Sequence, residues 1–436
     1  MPPIAEAVLA SWSFPPWVTA LNLLAAMLYI RGWAGMHHLV IHRFTHRRLF
    51  SFLAGIAILE VALASPIDTF DPFFLTDHML QHMLLMMIVP PLVLLGDPVI
   101  PLLHGLPRWA SRYLLAPLFR SRALQAAAQV LTHPALALIL MSVVMIGWHL
   151  PHPYELALHS SGWHEIEHAF FLFASFLFWW PVVQPWPSKP RWDRWALPVY
   201  LLLADFVNSA LSAFLTFSDR VFYPSYALMP RLGGISAHND QVAAGAMMWV
   251  IGSFAFLVPA VLITARILSP KQPEGARSSQ PIGTHSRAAP ATSLALCLIL
   301  PVAALGYAFL TPDNIDIDGD VIRIQADSGP FHMTVFSPPD PLPKNDLELA
   351  VLVQNRDTQT PVLDAGVEIE MQLAQSAEAA PVKALPSRNR ATNKLLAVTS
   401  LDLPRAGYWN LQISVENGKG AVSIADQIHI LGTASD

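Results

Sequence analysis

Long apolar runs separated by short polar segments fill the chain up to residue 311. A membrane-spanning helix needs about 20 mostly apolar residues. The chain has eight stretches of this kind, near 16–34, 49–65, 77–96, 132–150, 164–183, 195–217, 240–266 and 291–311. Beyond residue 311 the apolar residues alternate with polar ones, as in half-buried strands. The clearest of these runs are Val321–Ile324, Leu347–Val353, Val367–Leu373 and Tyr408–Val415.

This change of pattern predicts an all-α polytopic membrane helical bundle, of about seven plus one transmembrane helices, followed by a small β-sandwich. A seven-helix membrane domain occupies 16–267, and a segment rich in Pro, Ser and Gly at 268–290 reads as a cytoplasmic linker. The eighth transmembrane helix is predicted at 291–311. Residues 312–436 are predicted to form an extracytoplasmic β-sandwich domain.

The charges between the apolar stretches predict the orientation. Lys and Arg cluster after the first, third, fifth and seventh stretches, whereas the segments after the second and fourth contain neither. Only the segment after the sixth departs from the pattern, with Arg220 and Arg231. By the positive-inside rule, we expect a multi-pass protein of the cell inner (plasma) membrane with both termini extracytoplasmic.

Composition narrows the functional classes. Hydrophobic residues make up 53% of the 436 and charged ones 13%, which favours a lipid bilayer as the environment. A net charge of −5 without a dense basic tract argues against nucleic acid as a partner. The single cysteine, Cys297, excludes any cysteine-pair metal motif within the chain. A metal site would therefore use the 17 His, the 14 Met and the carboxylates.

The first candidate site opens the third apolar stretch. His78, His82 and Met86 recur every four residues and would share one face of a helix. Met83 adds a second thioether, and imidazole with thioether is a ligand set that suits Cu(I). Met and His that only fill a helix contact are the competing interpretation. Polar groups are costly in a membrane, which favours ligation for the two histidines.

Two further elements lie at the same predicted outer end. His149 ends the fourth stretch, and His164 and His168 stand one turn apart at the start of the fifth. An interfacial belt of His and Trp side chains is the alternative for this region. The third element, His238–Gln241, opens the seventh stretch and leads to Met247 one to two turns deeper. Independent structural histidines have no reason to prefer the outer ends of several helices, so the three elements together predict a metal site.

Two carboxylates fall inside apolar stretches, Glu60 in the second and Asp205 in the sixth. A carboxylate within a membrane is a functional candidate by default. A proton relay, a hydrogen bond between helices and a metal partner are all open for both residues.

In combination these motifs resemble the multi-spanning CtaG family of cytochrome c oxidase assembly factors. The resemblance rests on His78–Leu84 with Pro90, Pro91 and Gly96–Pro98, on Gly147–Pro151, on Trp163–His168 with Phe178–Pro181, and on Asp240–Gln241 with Gly245–Trp249. It implies a seven-helix body required for maturation of a heme–copper oxidase through copper handling. The outer domain resembles YtkA-like or FixH-like sandwiches at Ala406–Leu411.

The leading hypothesis is a non-enzymatic assembly factor that binds Cu(I) at the outer membrane face and delivers it to heme–copper cytochrome c oxidase subunits. Its predicted ligands are His78, His82, His149, His164 and His168, with Met83, Met86 and Met247 as auxiliary ligands. Because transfer needs ligand exchange, we expect a shallow, incompletely closed basin.

Two alternatives remain open. A copper permease would use Glu60, Asp205 and Met247 along a path through the bundle. A heme-binding membrane redox protein would use paired His from two helices as axial iron ligands.

Overall fold

A computed structural model of the protein describes residues 3–40, 43–186, 188, 190–269, 320–374, 380–418 and 420–431. Helices make up the part before residue 270, and strands dominate the part after residue 319. The helices are α1 (Pro3–Leu9), α2 (Pro16–His37), α3 (His46–Ala64), α4 (Pro66–Phe70), α5 (Leu75–Met83), α6 (Val89–Leu95), α7 (Val99–Gly105), α8 (Ala116–Arg120), α9 (Arg122–Leu131), α10 (Pro134–Trp148), α11 (Pro151–Leu158), α12 (Ser161–Val183), α13 (Ala196–Phe217), α14 (Pro224–Leu228) and α15 (Ala237–Leu268). Wider π-helical turns occur at Leu84–Ile88 and Ala110–Leu115.

Within the described residues, five helical stretches are long and apolar enough to cross a membrane, or six if a bent pair counts as one span. The five are His46–Phe70, Leu75–Leu95, Ser161–Val183, Ala196–Phe217 and Ala237–Leu268. These candidate spans coincide with the second, third, fifth, sixth and seventh predicted spans. In the bent pair, the chain bends by 69° between α9 and α10, and α10 lies within the fourth predicted span.

The predicted total of eight spans is not confirmed. The first predicted span forms α2, a helix of 22 residues that is not among the five. The eighth span and nearly all of the predicted linker fall outside the described residues. The membrane orientation therefore stays a prediction.

Helix α2 is packed against its neighbours through polar and backbone contacts. Asn22 Nδ2 donates to Glu60 Oε2 at 2.7 Å, and Thr19 donates to the other oxygen of the same carboxylate. A Cβ atom on Gly32 would lie 1.8 Å from the carbonyl oxygen of Pro101 in α7, so only glycine permits this approach. Of the roles left open for Glu60, the structure shows a hydrogen bond between helices.

Helices α13 and α15 also pack closely through a glycine. A Cβ atom on Gly252 would lie 2.2 Å from Nδ2 of Asn208, whose amide donates to the Met248 carbonyl at 3.3 Å. Small residues at such contacts let two membrane helices approach closely enough to pair polar groups. This pair forms the side of the bundle to which α5 is joined.

The C-terminal part consists of two antiparallel four-stranded sheets, as predicted for a sandwich. One sheet has the order β1-β2-β3-β6 and the other β5-β4-β7-β8. The strands are β1 (Val321–Ser328), β2 (Phe331–Ser337), β3 (Leu347–Asn355), β4 (Gly366–Leu373), β5 (Val382–Ala384), β6 (Ala397–Leu401), β7 (Gly407–Asn417) and β8 (Gly420–Ile430). The four alternating runs of the sequence form β1, β3, β4 and β7.

The sheet containing β3 is buried on both faces. Leu349, Val351 and Val353 face the core between the two sheets, whereas Ala350 and Leu352 belong to a separate apolar cluster shared with the helical part. That cluster contains Phe73, which precedes α5. The sandwich is therefore packed against the end of the helical domain where α5 begins.

Candidate metal site

The start of α5 is fixed by a carboxylate from another helix. Asp240, near the start of α15, accepts hydrogen bonds from the backbone N–H groups of Leu75 and Thr76 at 2.8 and 3.1 Å. These are the first amides of α5, which have no acceptor within their own helix. The third predicted element therefore holds α5 in place through Asp240, and this contact positions His78 one turn later.

Four side chains from two helices converge just inside this end of the bundle. His78 and His82 come from α5, and His164 and Glu167 come from the first turns of α12. Each offers one potential ligand atom, and the four atoms all lie within 4.8 Å of one another. The one-turn spacing on α5 places its two imidazoles on one face, as the sequence predicts.

The carboxylate of Glu167 lies between the two imidazoles of α5. Its Oε2 is 3.7 Å from Nε2 of His78, and its Oε1 is 3.8 Å from Nε2 of His82. Ligand atoms bound at about 2.1 Å to a tetrahedral ion are separated by roughly 3.4 Å. The observed spacings are thus close to those of a metal-binding group.

Two more predicted histidines border this group. The ring of His168 lies 5.4 Å from that of His82 and 4.2 Å from that of His164, between centroids. The ring of His149 lies 6.3 Å from that of His82. His149 Nδ1 is 2.7 Å from the carbonyl oxygen of Met145, which can only accept, so neutral His149 carries its lone pair on Nε2.

Several buried polar atoms in the cluster have no hydrogen-bond partner among the described residues. They are both ring nitrogens of His82, Nε2 of His149, Nε2 of His168 and both carboxylate oxygens of Glu167. Buried polar groups are nearly always satisfied, and burying an unsatisfied one is costly. A bound cation would satisfy the lone pairs and neutralise the carboxylate, so the residues present fit a metal ion.

A second carboxylate, Asp71, contacts the cluster from the segment between α4 and α5. Its Oδ2 lies 3.4 Å from Nδ1 of His78 and 3.2 Å from Nε2 of His164. Asp71 is not part of the four-residue group, but one of its oxygens contacts an imidazole from each of the two helices. It therefore links the imidazoles of α5 and α12.

Three buried tyrosines form one wall of the site. The ring of Tyr154 lies 5.0 Å from that of His78 and stacks on Tyr223 at 3.9 Å. The Tyr223 hydroxyl donates to the His149 carbonyl at 2.9 Å, and the Tyr226 hydroxyl donates to the Asp71 carbonyl at 2.9 Å. Burial raises the pKa of Tyr154 and Tyr226 well above the ordinary value, so both remain neutral phenols.

The structure brings the five predicted histidines together, but the predicted open basin is wrong. His78 and His82 are fully buried and His164 is 6% exposed. The segment before α5 contacts the cluster through Asp71, and the tyrosine wall contacts it through Tyr154. A loop folded over helix ends cannot be read from helical spacing, which explains the difference.

The predicted auxiliary methionines are core residues of the bundle. Met83 and Met86 are fully buried in the main apolar cluster, and Met247 packs against it. The carbonyl of Met86 accepts a hydrogen bond from the Trp179 indole at 2.9 Å, within the π-helical turn Leu84–Ile88. Their role as ligands stays a prediction.

Two functional candidates, Glu167 and Asp71, were not among the predicted ligands. For Glu167 the sequence carries a usable pattern, because it stands three residues after His164 and shares a helical face with it. For Asp71 it carries none, because its contact with His164 joins segments far apart in the chain. Only the structure shows that Asp71 lies beside the cluster.

Comparison with known proteins places the helical domain in a family. A family model described as cytochrome c oxidase caa3 assembly factor (Caa3_CtaG) matches residues 27–269. This range contains all four residues of the metal-binding group. No solved structure matches the chain.

The chain is also similar to three mycobacterial proteins. It is 26% identical over 276 residues to uncharacterized protein Mb0105 of Mycobacterium bovis and to uncharacterized protein MT0111 of Mycobacterium tuberculosis. Uncharacterized protein ML1998 of Mycobacterium leprae is 26% identical over 277 residues. Each alignment covers 61% of this chain and 40% of the relative, so the chain matches less than half of each relative's length. Because the family model covers more than half of the chain, the protein belongs to the Caa3_CtaG family of cytochrome c oxidase caa3 assembly factors.

Proposed function

We propose that this chain is a membrane assembly factor for cytochrome c oxidase that binds a copper ion in the buried group of His78, His82, His164 and Glu167. Family membership supports the assembly role. The observation that supports copper binding is the position of three imidazoles and one carboxylate from two helices. Their ligand atoms lie within 4.8 Å of one another. Copper is here the cargo that the protein holds and passes on.

The ligand chemistry defines which ions fit. Imidazole nitrogen suits copper and zinc, whereas thioether sulfur favours Cu(I). The carboxylate of Glu167 adds a hard anionic oxygen ligand, so that the site predicted for Cu(I) also suits Cu(II) and Zn(II). Its charge also favours a divalent ion in this buried setting, because the ion compensates a carboxylate removed from water.

Handover needs a route by which ligands are exchanged. The cluster contains five imidazoles, more than one tetrahedral ion uses. His149 and His168 border the four-residue group, and each has a buried Nε2 atom without a hydrogen-bond partner among the described residues. They provide alternative ligands, so that an ion can move stepwise without losing its whole coordination shell.

The proposed partner is a copper-receiving subunit of a heme–copper oxidase, and the proposed location is the outer face of the cell membrane. The positive-inside pattern supports this orientation, because the helix ends that form the cluster follow or precede segments without Lys or Arg. The β-sandwich packs on the same end.

The test replaces two ligands at once. We expect His78→Ala/His82→Ala to lower bound copper in the detergent-purified protein from about one ion per chain to near zero and to lower oxidase activity in cells, at similar protein abundance. His152→Ala/His159→Ala is the matched control, since both side chains are exposed at the same end of the bundle. Equal copper content in the two double variants would eliminate this proposal.

The geometry supports the two alternative functions less well. Glu60, predicted to line a permease path, is held by α2 through Thr19 and Asn22. A heme with axial His ligands from two helices needs the porphyrin between their rings, whereas the rings of His78 on α5 and His164 on α12 stack on each other, with centroids 5.1 Å apart. We expect a purified protein without a Soret band.

A further inference from the structure

The β-sandwich packs on the segment that carries Asp71. Phe70 and Phe73 flank this residue closely and belong to the apolar cluster shared with the sandwich. The ring of Phe73 meets that of Phe336 of β2 edge to face, with centroids 6.1 Å apart. Asp71 is itself 1% exposed, so its carboxylate is enclosed between this packing and the imidazoles.

A first hydrogen-bonded connection joins the sandwich to the chain just before Asp71. The backbone N–H of Lys394 donates to the hydroxyl of Ser11 at 3.0 Å. The carbonyl of Ser11 accepts from the Thr69 hydroxyl at 3.2 Å, two residues before Asp71. Ser11 is fully buried, so solvent does not compete for these bonds.

A second connection reaches Asp71 itself. The side-chain amide of Gln354, in β3, donates to the Arg231 carbonyl at 2.9 Å, and the Arg231 guanidinium donates to the Tyr226 carbonyl. The Tyr226 hydroxyl then donates to the Asp71 carbonyl at 2.9 Å. The apolar packing and the two connections thus all lead from the sandwich to one short segment.

The carboxylate of Asp71, to which these contacts lead, orients the imidazole ring of His78. Asp71 Oδ2 faces Nδ1 of His78, while Nε2 of the same ring faces Glu167. A carboxylate this close to one ring nitrogen favours the tautomer with its proton on that nitrogen, which leaves the lone pair of the other nitrogen for the metal. Asp71 is therefore a positioning residue for His78, and its contact with His164 ties the second helix to the same oxygen.

We propose that the β-sandwich holds Asp71 against His78 and His164, and that its docking thereby sets how long the cluster retains a metal ion. This inference rests on the proposed function and assigns to the C-terminal domain a control over release. Withdrawal of the sandwich loosens the segment before α5, lets Asp71 leave the two rings and opens the buried group to a receiving protein.

The test measures release of Cu(II) from the full-length protein into excess chelator. Loss of a group that orients a metal ligand weakens binding about 10–100-fold. We expect Asp71→Asn to raise the dissociation rate by this factor and to shift the Cu(II) absorption spectrum. Phe336→Asp places a charge in the docking surface without touching the core between the sheets, and we expect a similar rise. Leu385→Asp is the control with no change, because Leu385 is 78% exposed.

The double variant decides whether the sandwich acts through Asp71. If both substitutions act through Asp71, their effects on the dissociation rate do not combine, and Phe336→Asp/Asp71→Asn should release Cu(II) no faster than the faster single variant. A double variant whose rate increase equals the product of the two single increases would overturn the proposal, because the sandwich would then act by another route. Gln354→Ala, which removes only the hydrogen bonds of one buried amide at the same surface, should raise the rate about 3-fold or more while the metal-free protein remains folded.

The outcomes separate the two proposals. A wild-type protein that binds neither Cu(I) nor Cu(II) removes the copper function and this inference with it. A wild-type protein that binds Cu(II) normally, with the same release rate in Phe336→Asp and Gln354→Ala, removes only the role of the sandwich.

Discussion

Replacing Glu167 by Gln tests the electrostatics of the site with the smallest change of shape. Glu167 is fully buried, and its two oxygens lie 3.7 and 3.8 Å from the Nε2 atoms of His78 and His82. The amide keeps one oxygen ligand but removes the negative charge. Two unit charges 4 Å apart interact by about 4 kcal/mol at an effective dielectric constant of 20.

A change of about 4 kcal/mol corresponds to roughly three orders of magnitude in a dissociation constant. Part of this attraction is offset by the cost of burying the carboxylate. We therefore expect Glu167→Gln to weaken Cu(II) binding at least about 100-fold. At a free concentration of 100 times the wild-type dissociation constant, stabilisation by the metal should fall from about 2.7 to about 0.4 kcal/mol.

The assay combines a competition titration with thermal unfolding of the detergent-purified protein, with and without Cu(II) or Zn(II). Glu165→Gln is the matched control, since Glu165 is only partly buried and lies on the same helix two residues earlier. We expect the metal-free Glu167→Gln protein to unfold at no lower temperature than wild type. A dissociation constant within 3-fold of wild type would refute the assignment of Glu167 as a ligand.

Two further predictions concern the scaffold. Gly252→Ala should destabilise the protein by about 1–3 kcal/mol in thermal unfolding, because the new methyl group would collide with the Asn208 amide. Gly147→Ala is the control and should leave the stability unchanged, because a Cβ atom there meets open space. Tyr226→Phe should lower stability by about 1–2 kcal/mol and speed Cu(II) release, because the hydrogen bond to the Asp71 carbonyl is lost; an unchanged release rate would contradict that contact's role.

The helices were predictable where apolar length and local spacing determine the structure. The stretches near 164–183 and 195–217 became α12 and α13 with small shifts at their ends. Near 16–34, polar Thr19 and Asn22 make α2 less apolar, and the sequence does not show that both contact Glu60. Apolarity predicts a helix there without predicting its partners.

In the sandwich, alternation predicted strands but not what covers each face. The run Trp409–Val415 alternates cleanly, and its strand β7 is buried on one face only. Leu349–Val353 is apolar throughout, which is typical of a strand buried on both sides. The structure shows the reason, because its second face packs on the helical domain.

For the site, one-turn spacing predicted the pairs His78/His82 and His164/His168, and both pairs joined one cluster. Burial and the second carboxylate were beyond the sequence. They depend on the segment before α5 folding back over the helix ends, with Asp71 held there by the Tyr226 hydroxyl. Such contacts between distant segments have no periodic pattern in the chain.

X-ray absorption at the copper edge of the loaded, detergent-purified protein tests the central claim most directly. Binding in the group of His78, His82, His164 and Glu167 predicts one copper per chain with about three imidazole ligands and one oxygen at about 2.0–2.1 Å. His164→Ala should remove one imidazole contribution. A protein that binds no copper, or copper whose imidazole signal is unchanged in His164→Ala, would contradict the account.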